Sequence, residues 1–273
     1  MNRRVLVTGA SRGIGKATAL AFARAGFDVA ITARTEVEGQ ASAHALTARD
    51  GATLPGSLAT TLAELKDSGA LAIALPMDLL DNASIDAALA RVNAEFGGVD
   101  VIVNNAIYQG RDINALLADL GDDTLERVWQ GYVRAPLRIV KALLPGMIAR
   151  GDGIIINVTS GAGETDPPLR ADRGGWGFAY GAGKAALSRL AGVIAVEHGD
   201  QGIRAFTVNP GVVNTEALRA SIGDDGKLAR RYGAAAPELP AAVMLWLATH
   251  PEAPAFQRRT IDAQPFAREQ GIG

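Results

Sequence analysis

Thr8-Gly9-Ala10-Ser11-Arg12-Gly13-Ile14-Gly15 closes a short apolar run, Arg4–Thr8, and opens a helical pattern over 14–25. Glycines in such a turn permit a sharp reversal and let the backbone approach a pyrophosphate closely. The helix that follows offers unpaired N–H groups and a partial positive charge. Strand before, helix after and the spacing GxxxGxG predict a dinucleotide-binding turn. Its candidate contacts are Gly9, Ser11, Arg12, Gly13, Ile14 and Gly15.

Outward from the turn, short β-rich apolar runs alternate with longer helical patterns. The runs are Arg4–Thr8, Asp28–Ala33, Ala70–Leu75, Val99–Asn104, Gly153–Thr159, Ile203–Val208 and, more weakly, Arg259–Asp262. Helical patterns lie near 14–25, 83–96, 123–149, 180–198 and 237–249. This alternation predicts an α/β chain with a parallel sheet covered on both faces. The strand runs are continuous in Val, Ile, Leu and Ala, as doubly buried strands are. Residues 36–62, with Gly39, Gly51, Pro55 and Gly56, read as a loop or broken helix. Residues 161–178 read as a second long loop, and long loops are more often functional than idle. No internal repeat or linker divides the chain, so one domain over 1–273 is expected.

Composition narrows the function. The 273 residues carry a formal charge of −2, and 48% are hydrophobic. There is no basic stripe, so nucleic acid is not an expected partner. With no cysteine, disulfides, thiolate catalysis and Cys-ligated metals are excluded, and a reducing, cytoplasmic setting is expected. His44, His198 and His250 are far apart and lack metal-ligand spacing, so no metal is expected. The N-terminus lacks a signal-peptide pattern, and no apolar run nears the ~20 residues that span a bilayer, so no membrane partner is expected.

Further motifs follow the glycine turn in a fixed order: Asn104-Asn105-Ala106, Ser160, Tyr180-x-x-x-Lys184 and Asn209-Pro210-Gly211 with Thr215. Together with Thr8–Gly15 they resemble the short-chain dehydrogenase/reductase family over roughly residues 3–216. The resemblance implies a doubly wound, seven-stranded parallel Rossmann sheet, a nicotinamide cofactor, and a homodimer or homotetramer.

The end of the second strand reads the adenosine ribose. An acid there accepts from a free 2′-hydroxyl, whereas arginines attract a 2′-phosphate. The acidic position holds Ala33, Arg34 follows, and Arg12 lies in the turn itself. These residues predict NADP(H). A solvated arginine, or Arg34 stacked on adenine, is the alternative. By resemblance, Asp78 and Leu79 flank the adenine, although Asp78 also suits a turn cap. Asn104 and the backbone that follows it, at Asn105 and Ala106, brace the ribose and the neighbouring strands. Pro210, Gly211, Val213 and Thr215 hold the carboxamide end.

Tyr180 and Lys184 are four apart in a helical pattern, so their side chains meet. A neighbouring ammonium lowers a phenol's pKa from ~10, and burial raises it; a tyrosine working near neutral pH requires the cation to prevail. Such a tyrosine exchanges a proton with a carbonyl or alcohol oxygen. Lys184 also suits the nicotinamide ribose. Ser160, at the carboxyl edge of the fifth strand, hydrogen-bonds the substrate oxygen, and alternation points Thr159 away. Ser160 precedes Tyr180 by 20 residues, more than the family's spacing, with the excess in the 161–178 loop. Trp176 and Phe178 wall the pocket or simply pack.

Two residues depart from the family pattern. Ile107 replaces a usual glycine and would crowd the nicotinamide end. Tyr132 stands where the family commonly places a relay asparagine, either serving the relay or packing the helix. Glu216–Tyr232 reads as a lid. The reading is an NADP(H)-dependent oxidoreductase of carbonyl or alcohol carbons on a medium-sized, mostly apolar substrate. Alternatives are a catalytically silent NADP(H) sensor and, less favoured, a lyase or epimerase on the same fold.

Overall fold

The computed structural model describes residues 2–48, 50–110, 112–222 and 233–272. Seven parallel strands form one sheet in the order β3-β2-β1-β4-β5-β6-β7. They are β1 Arg4–Thr8, β2 Asp28–Ala33, β3 Ala72–Pro76, β4 Val101–Asn104, β5 Gly153–Val158, β6 Ile203–Asn209 and β7 Thr260–Asp262. Strand order reverses between β1 and β4, which pair through Val5–Val101, Leu6–Ile102 and Val7–Val103. A doubly wound sheet opens its ligand crevice at that reversal, beyond the carboxyl ends of the strands.

Alternation along the strands distributes the core between the two faces. Val5, Val7, Val29, Ile31, Val101, Val103, Ile154 and Ile156 pack on one side. There they meet Phe22 of α1 (Gly13–Arg24) and Val243, Met244 and Leu247 of α8 (Glu238–Thr249). Leu6, Ala30, Ile102 and Ile155 face the other way. They meet Ile85 and Leu89 of α3 (Asn82–Phe96), Ile139 and Leu143 of α5 (Ala135–Arg150), and Ala191 and Ile194 of α6 (Phe178–Glu197). Helices on both faces remove every central strand from water, which explains the continuous apolar runs.

Several expected boundaries move. The segment expected as loop to residue 62 contains the start of α2, Leu58–Asp67. Ser57 caps it, accepting from the Thr60 amide at 3.1 Å. The expected helix 123–149 is α4 (Asp122–Trp129), a π-helical turn at Gln130–Arg134, and then α5. Pro136 cannot donate an amide to the preceding turn, and the widened turn lies just before it. Gly131, inside that turn, lets Tyr108 approach; a Cβ there would be 2.8 Å from the Tyr108 Cβ. Within the expected lid, Glu216–Ile222 forms α7, and 223–232 lie outside the described residues. A last helix, α9 (Ala263–Gln270), was not expected.

Candidate active site

The glycine turn, the end of β4, Ser160 after β5 and the Asn209–Thr215 segment after β6 all lie at the carboxyl edge of the sheet. Thr8 ties the first two together. Its buried hydroxyl donates to the Val103 carbonyl at 3.2 Å and accepts from the amides of Asn105 and Ala106, each at 3.0 Å. The Asn105 side chain donates to the carbonyls of Thr8 at 2.8 Å and Gly9 at 3.2 Å. Asn105 therefore shapes the turn rather than reaching outward. Asn104 instead donates to Asn157 on β5 at 2.9 Å.

The turn fits a pyrophosphate. Gly9 and Gly13 have φ of 68° and 54°, values that glycine adopts without strain. A Cβ at Gly15 would stand 2.3 Å from the Gly9 carbonyl oxygen. α1 has no side-chain cap and no acid in its first turn, so its leading N–H groups suit an anion. Arg12 Nε is buried without a partner. Burial lowers the Arg12 pKa and Arg34 adds to that, while Glu216 and Glu38 oppose it. Arg34 thus lies near enough for its charge to reach Arg12. Glu38 and Glu216 were not singled out from the sequence. Glu216 Oε2, itself buried and unpartnered, would be 3.5 Å from a Cβ at Gly13.

Other candidates take more structural parts. Asp78 accepts from the Leu80 amide at 2.9 Å, making a turn cap. The Leu79 side chain packs in the core, and its carbonyl accepts from Gln130 at 3.0 Å. Pro210 is buried. Gly211, at φ 71°, donates to Asn209 Oδ1 at 3.1 Å. Val213 bridges to Ala235. Thr215 caps α7, accepting from the Leu218 amide at 3.1 Å, and its methyl faces Gly13.

The catalytic candidates converge despite the long connection. The Ser160 hydroxyl accepts from the Ala162 amide at 3.3 Å and lies close enough to the Tyr180 phenol to lower its pKa. The intervening chain folds into 3-10 turns at Gly161–Gly163 and Ala171–Arg173, so the extra residues leave the pair together. Thr159 points away as expected, bonded to Ser188 at 2.6 Å and buried. Lys184 is buried and donates to the Val158 carbonyl at 2.8 Å.

One electrostatic expectation is reversed. Burial raises the Tyr180 pKa and only the Ser160 hydrogen bond opposes it. Lys184 is not among the groups that lower it, and burial drives the Lys184 pKa itself down to about 7.

Tyr132 is wholly buried. Its ring is 6.2 Å from Tyr180, edge-on, and 5.7 Å from the Lys184 nitrogen. The aligned position is therefore beside Tyr180 and Lys184, but its hydroxyl has no partner. Ile107 packs with Tyr108, Val128 and Tyr132, which gives the side chain that replaces glycine a place in the wall. Trp176 would be 3.6 Å from a Cβ at Gly181 and covers the start of α6. Phe178 is exposed.

A glycine turn at the switch point, with a serine and a tyrosine–lysine pair along the same edge, defines a dinucleotide-binding α/β oxidoreductase. The short chain dehydrogenase family model matches residues 3–56 and 51–225. A short chain dehydrogenase of Monascus purpureus is 32% identical over 247 residues, 90% of this chain and 75% of that protein. A fatty acyl-CoA reductase of Mycobacterium tuberculosis is 36% identical over 232 residues, 82% of this chain and 67% of that one. The crystal structure of L-sorbose reductase from Gluconobacter frateurii, complexed with NADPH and L-sorbose, superposes with a TM-score of 0.76. It is 26% identical, and 97% of each chain is covered. The chain belongs to the short chain dehydrogenase family of nicotinamide-dependent oxidoreductases. Among the described residues, no helix is long and apolar enough to cross a membrane and no metal-binding cluster occurs.

Proposed function

We propose that this chain is an NADP(H)-dependent reductase of carbonyl groups, working reversibly on the corresponding alcohols. Gly9, Gly13, Gly15 and the first turn of α1 hold the pyrophosphate. Arg12 and Arg34 take the 2′-phosphate, and Val213 and Thr215 the carboxamide end. When bound, the nicotinamide supplies or accepts the hydride. Tyr180 gives its proton to the carbonyl oxygen during reduction and takes it back during oxidation, Ser160 fixes that oxygen by hydrogen bonding, and Lys184 steadies the ribose.

The observation carrying this reading is the approach of Ser160 to Tyr180 after the long connection, with Lys184 one helical turn on. The Tyr180 phenol is protonated near neutrality, the form from which a proton passes to a carbonyl oxygen. The relatives' names point the same way: a fatty acyl-CoA reductase and an NADPH-bound sorbose reductase. Tyr108, Ile107 and Trp176 suit a mostly apolar substrate of medium size.

A second copy of the chain is the expected partner. An apolar groove of about 200 Å³ runs between α5 and α6, lined by Leu137, Leu187, Leu190 and Val193. These are the helices that the resemblance pairs across a two-fold axis. The absence of cysteine suits a cytoplasmic setting.

An absorbance screen at the reduced-nicotinamide band, with NADPH and a panel of ketones and aldehydes, tests the activity. Consumption of NADPH by the wild type and its loss in Tyr180→Phe, with cofactor binding retained, is expected. Full turnover by that variant would overturn the assignment of Tyr180; cofactor binding without turnover on any substrate would favour the sensor.

A further inference from the structure

The connection from β2 to α2, residues 34–57, far exceeds the 2–6 residues that usually join strand to helix. It lies against the cofactor groove. Both arginines assigned to the 2′-phosphate donate to its backbone: Arg12 Nη2 to the Gly56 carbonyl at 2.7 Å, and Arg34 Nη1 to the Ala43 carbonyl at 3.2 Å. Gly56, at φ 106°, presses onto the glycine turn. A Cβ there would stand 2.5 Å from the Ser11 carbonyl oxygen and 2.8 Å from the Arg12 Cβ. Farther along, His44 sets its ring edge-on to Tyr108 at 6.4 Å. The segment thus reaches from the turn after β1 to the chain leaving β4, the two ends between which the crevice opens.

Glu38 pins this segment in shape. One carboxylate oxygen accepts from the Gly56 amide at 2.9 Å and the other from the Thr60 hydroxyl at 2.6 Å. Those bonds, with Arg12 nearby, hold the Glu38 carboxyl below its ordinary range, the Thr60 bond contributing most. A fixed negative charge therefore stands beside Arg12, whose Nε remains a buried donor without an acceptor. A charged donor left in that state calls for an anion.

We propose that residues 35–57 are a strap belonging to the cofactor site: its carbonyls hold Arg12 and Arg34 ready for a 2′-phosphate, and Glu38 sets how strongly that phosphate is preferred to a free 2′-hydroxyl. The inference rests on the NADP(H) reading. Glu38 repels the incoming phosphate and offers an acceptor to a hydroxyl, so it tempers the discrimination that the arginines create. The strap carbonyls fix the guanidiniums without neutralising them.

Calorimetric titration with two cofactor fragments, adenosine 2′,5′-bisphosphate and adenosine 5′-monophosphate, tests this without turnover. Glu38→Gln keeps both contacts, since its amide oxygen accepts from Gly56 and its NH2 donates to Thr60, and removes only the charge. It is expected to tighten the bisphosphate about five-fold, the range of a partly exposed charge pair, and to leave the monophosphate no tighter, so the preference for the bisphosphate rises. Replacing residues 37–54 by a short Gly-Ser linker is expected to reduce the preference for the bisphosphate about ten-fold or more. A preference for the bisphosphate that neither change alters overturns the strap. A wild type that shows no preference overturns the NADP(H) reading itself. Should the shortened chain fail to fold, Glu38→Gln alone decides.

Discussion

The Lys184 ammonium lies 5.7 Å from the centre of the Tyr132 ring, while the same nitrogen donates to the Val158 carbonyl at 2.8 Å. The ring face thus supports a buried cation that has one hydrogen-bond acceptor. The Tyr132 hydroxyl, by contrast, has none, and burial holds it neutral. Tyr132→Phe keeps the ring and removes the unsatisfied group. It is expected to raise stability by about 1 kcal/mol and leave kcat within about two-fold, as read by urea unfolding and by NADPH oxidation. A ten-fold fall in kcat with unchanged KM would instead place the hydroxyl in the proton path.

Lys184 makes stability depend on pH with a definite sign. Its pKa is about 7 in the fold against 10.5 when exposed. Between those values the unfolded chain binds the proton and the folded chain does not, so stability rises with pH. Below pH 7 both states are protonated and the full cost of the buried charge is present. From pH 7 to 9 the gain is about 2 kcal/mol. Lys184→Met should lack that rise, and the difference between the two urea-unfolding profiles measures it. Parallel profiles would show that Lys184 keeps an ordinary pKa.

Much of this was legible because it depends on local spacing. Thr8–Gly15 marks the turn through the strand before it and the helix after it, and the Tyr180–Lys184 interval puts both side chains on one helical face. Ser160 was placed by its strand end, although its distance in sequence from Tyr180 gave no help. What escaped was set by tertiary contact. Nothing near Glu38 announces that its carboxylate will bind Gly56 and Thr60. The π-turn before Pro136 needs Tyr108 against Gly131 to be understood. The sign of the Tyr180 shift depends on how deeply the phenol itself is buried, which spacing does not encode.

Gly15 is the residue on which the turn closes. A methyl there would meet the Gly9 carbonyl oxygen at 2.3 Å and Asn105 Nδ2 at 2.5 Å. Gly15→Ala must push α1 away or break the Asn105 bonds that shape the turn. Overpacking of this kind costs about 1–3 kcal/mol, and NADPH affinity should fall by about a hundred-fold as the turn opens. Fluorescence titration with NADPH checks the second figure; unchanged binding would separate the turn from the cofactor.

The α5–α6 groove gives the last prediction. Leu137 and Val193 are 41% and 42% exposed, on the two helices flanking an apolar cleft that a second copy would fill. Neither residue belongs to the catalytic set, so a charge there tests association separately from chemistry. Val193→Glu places a carboxylate in the proposed contact, where burial without a cation is costly. In a monomer the same carboxylate is solvated and harmless. Sedimentation should therefore show the wild type as a dimer or tetramer and the variant as a monomer of unchanged helical content. An oligomer that persists in the variant would move the interface to another face.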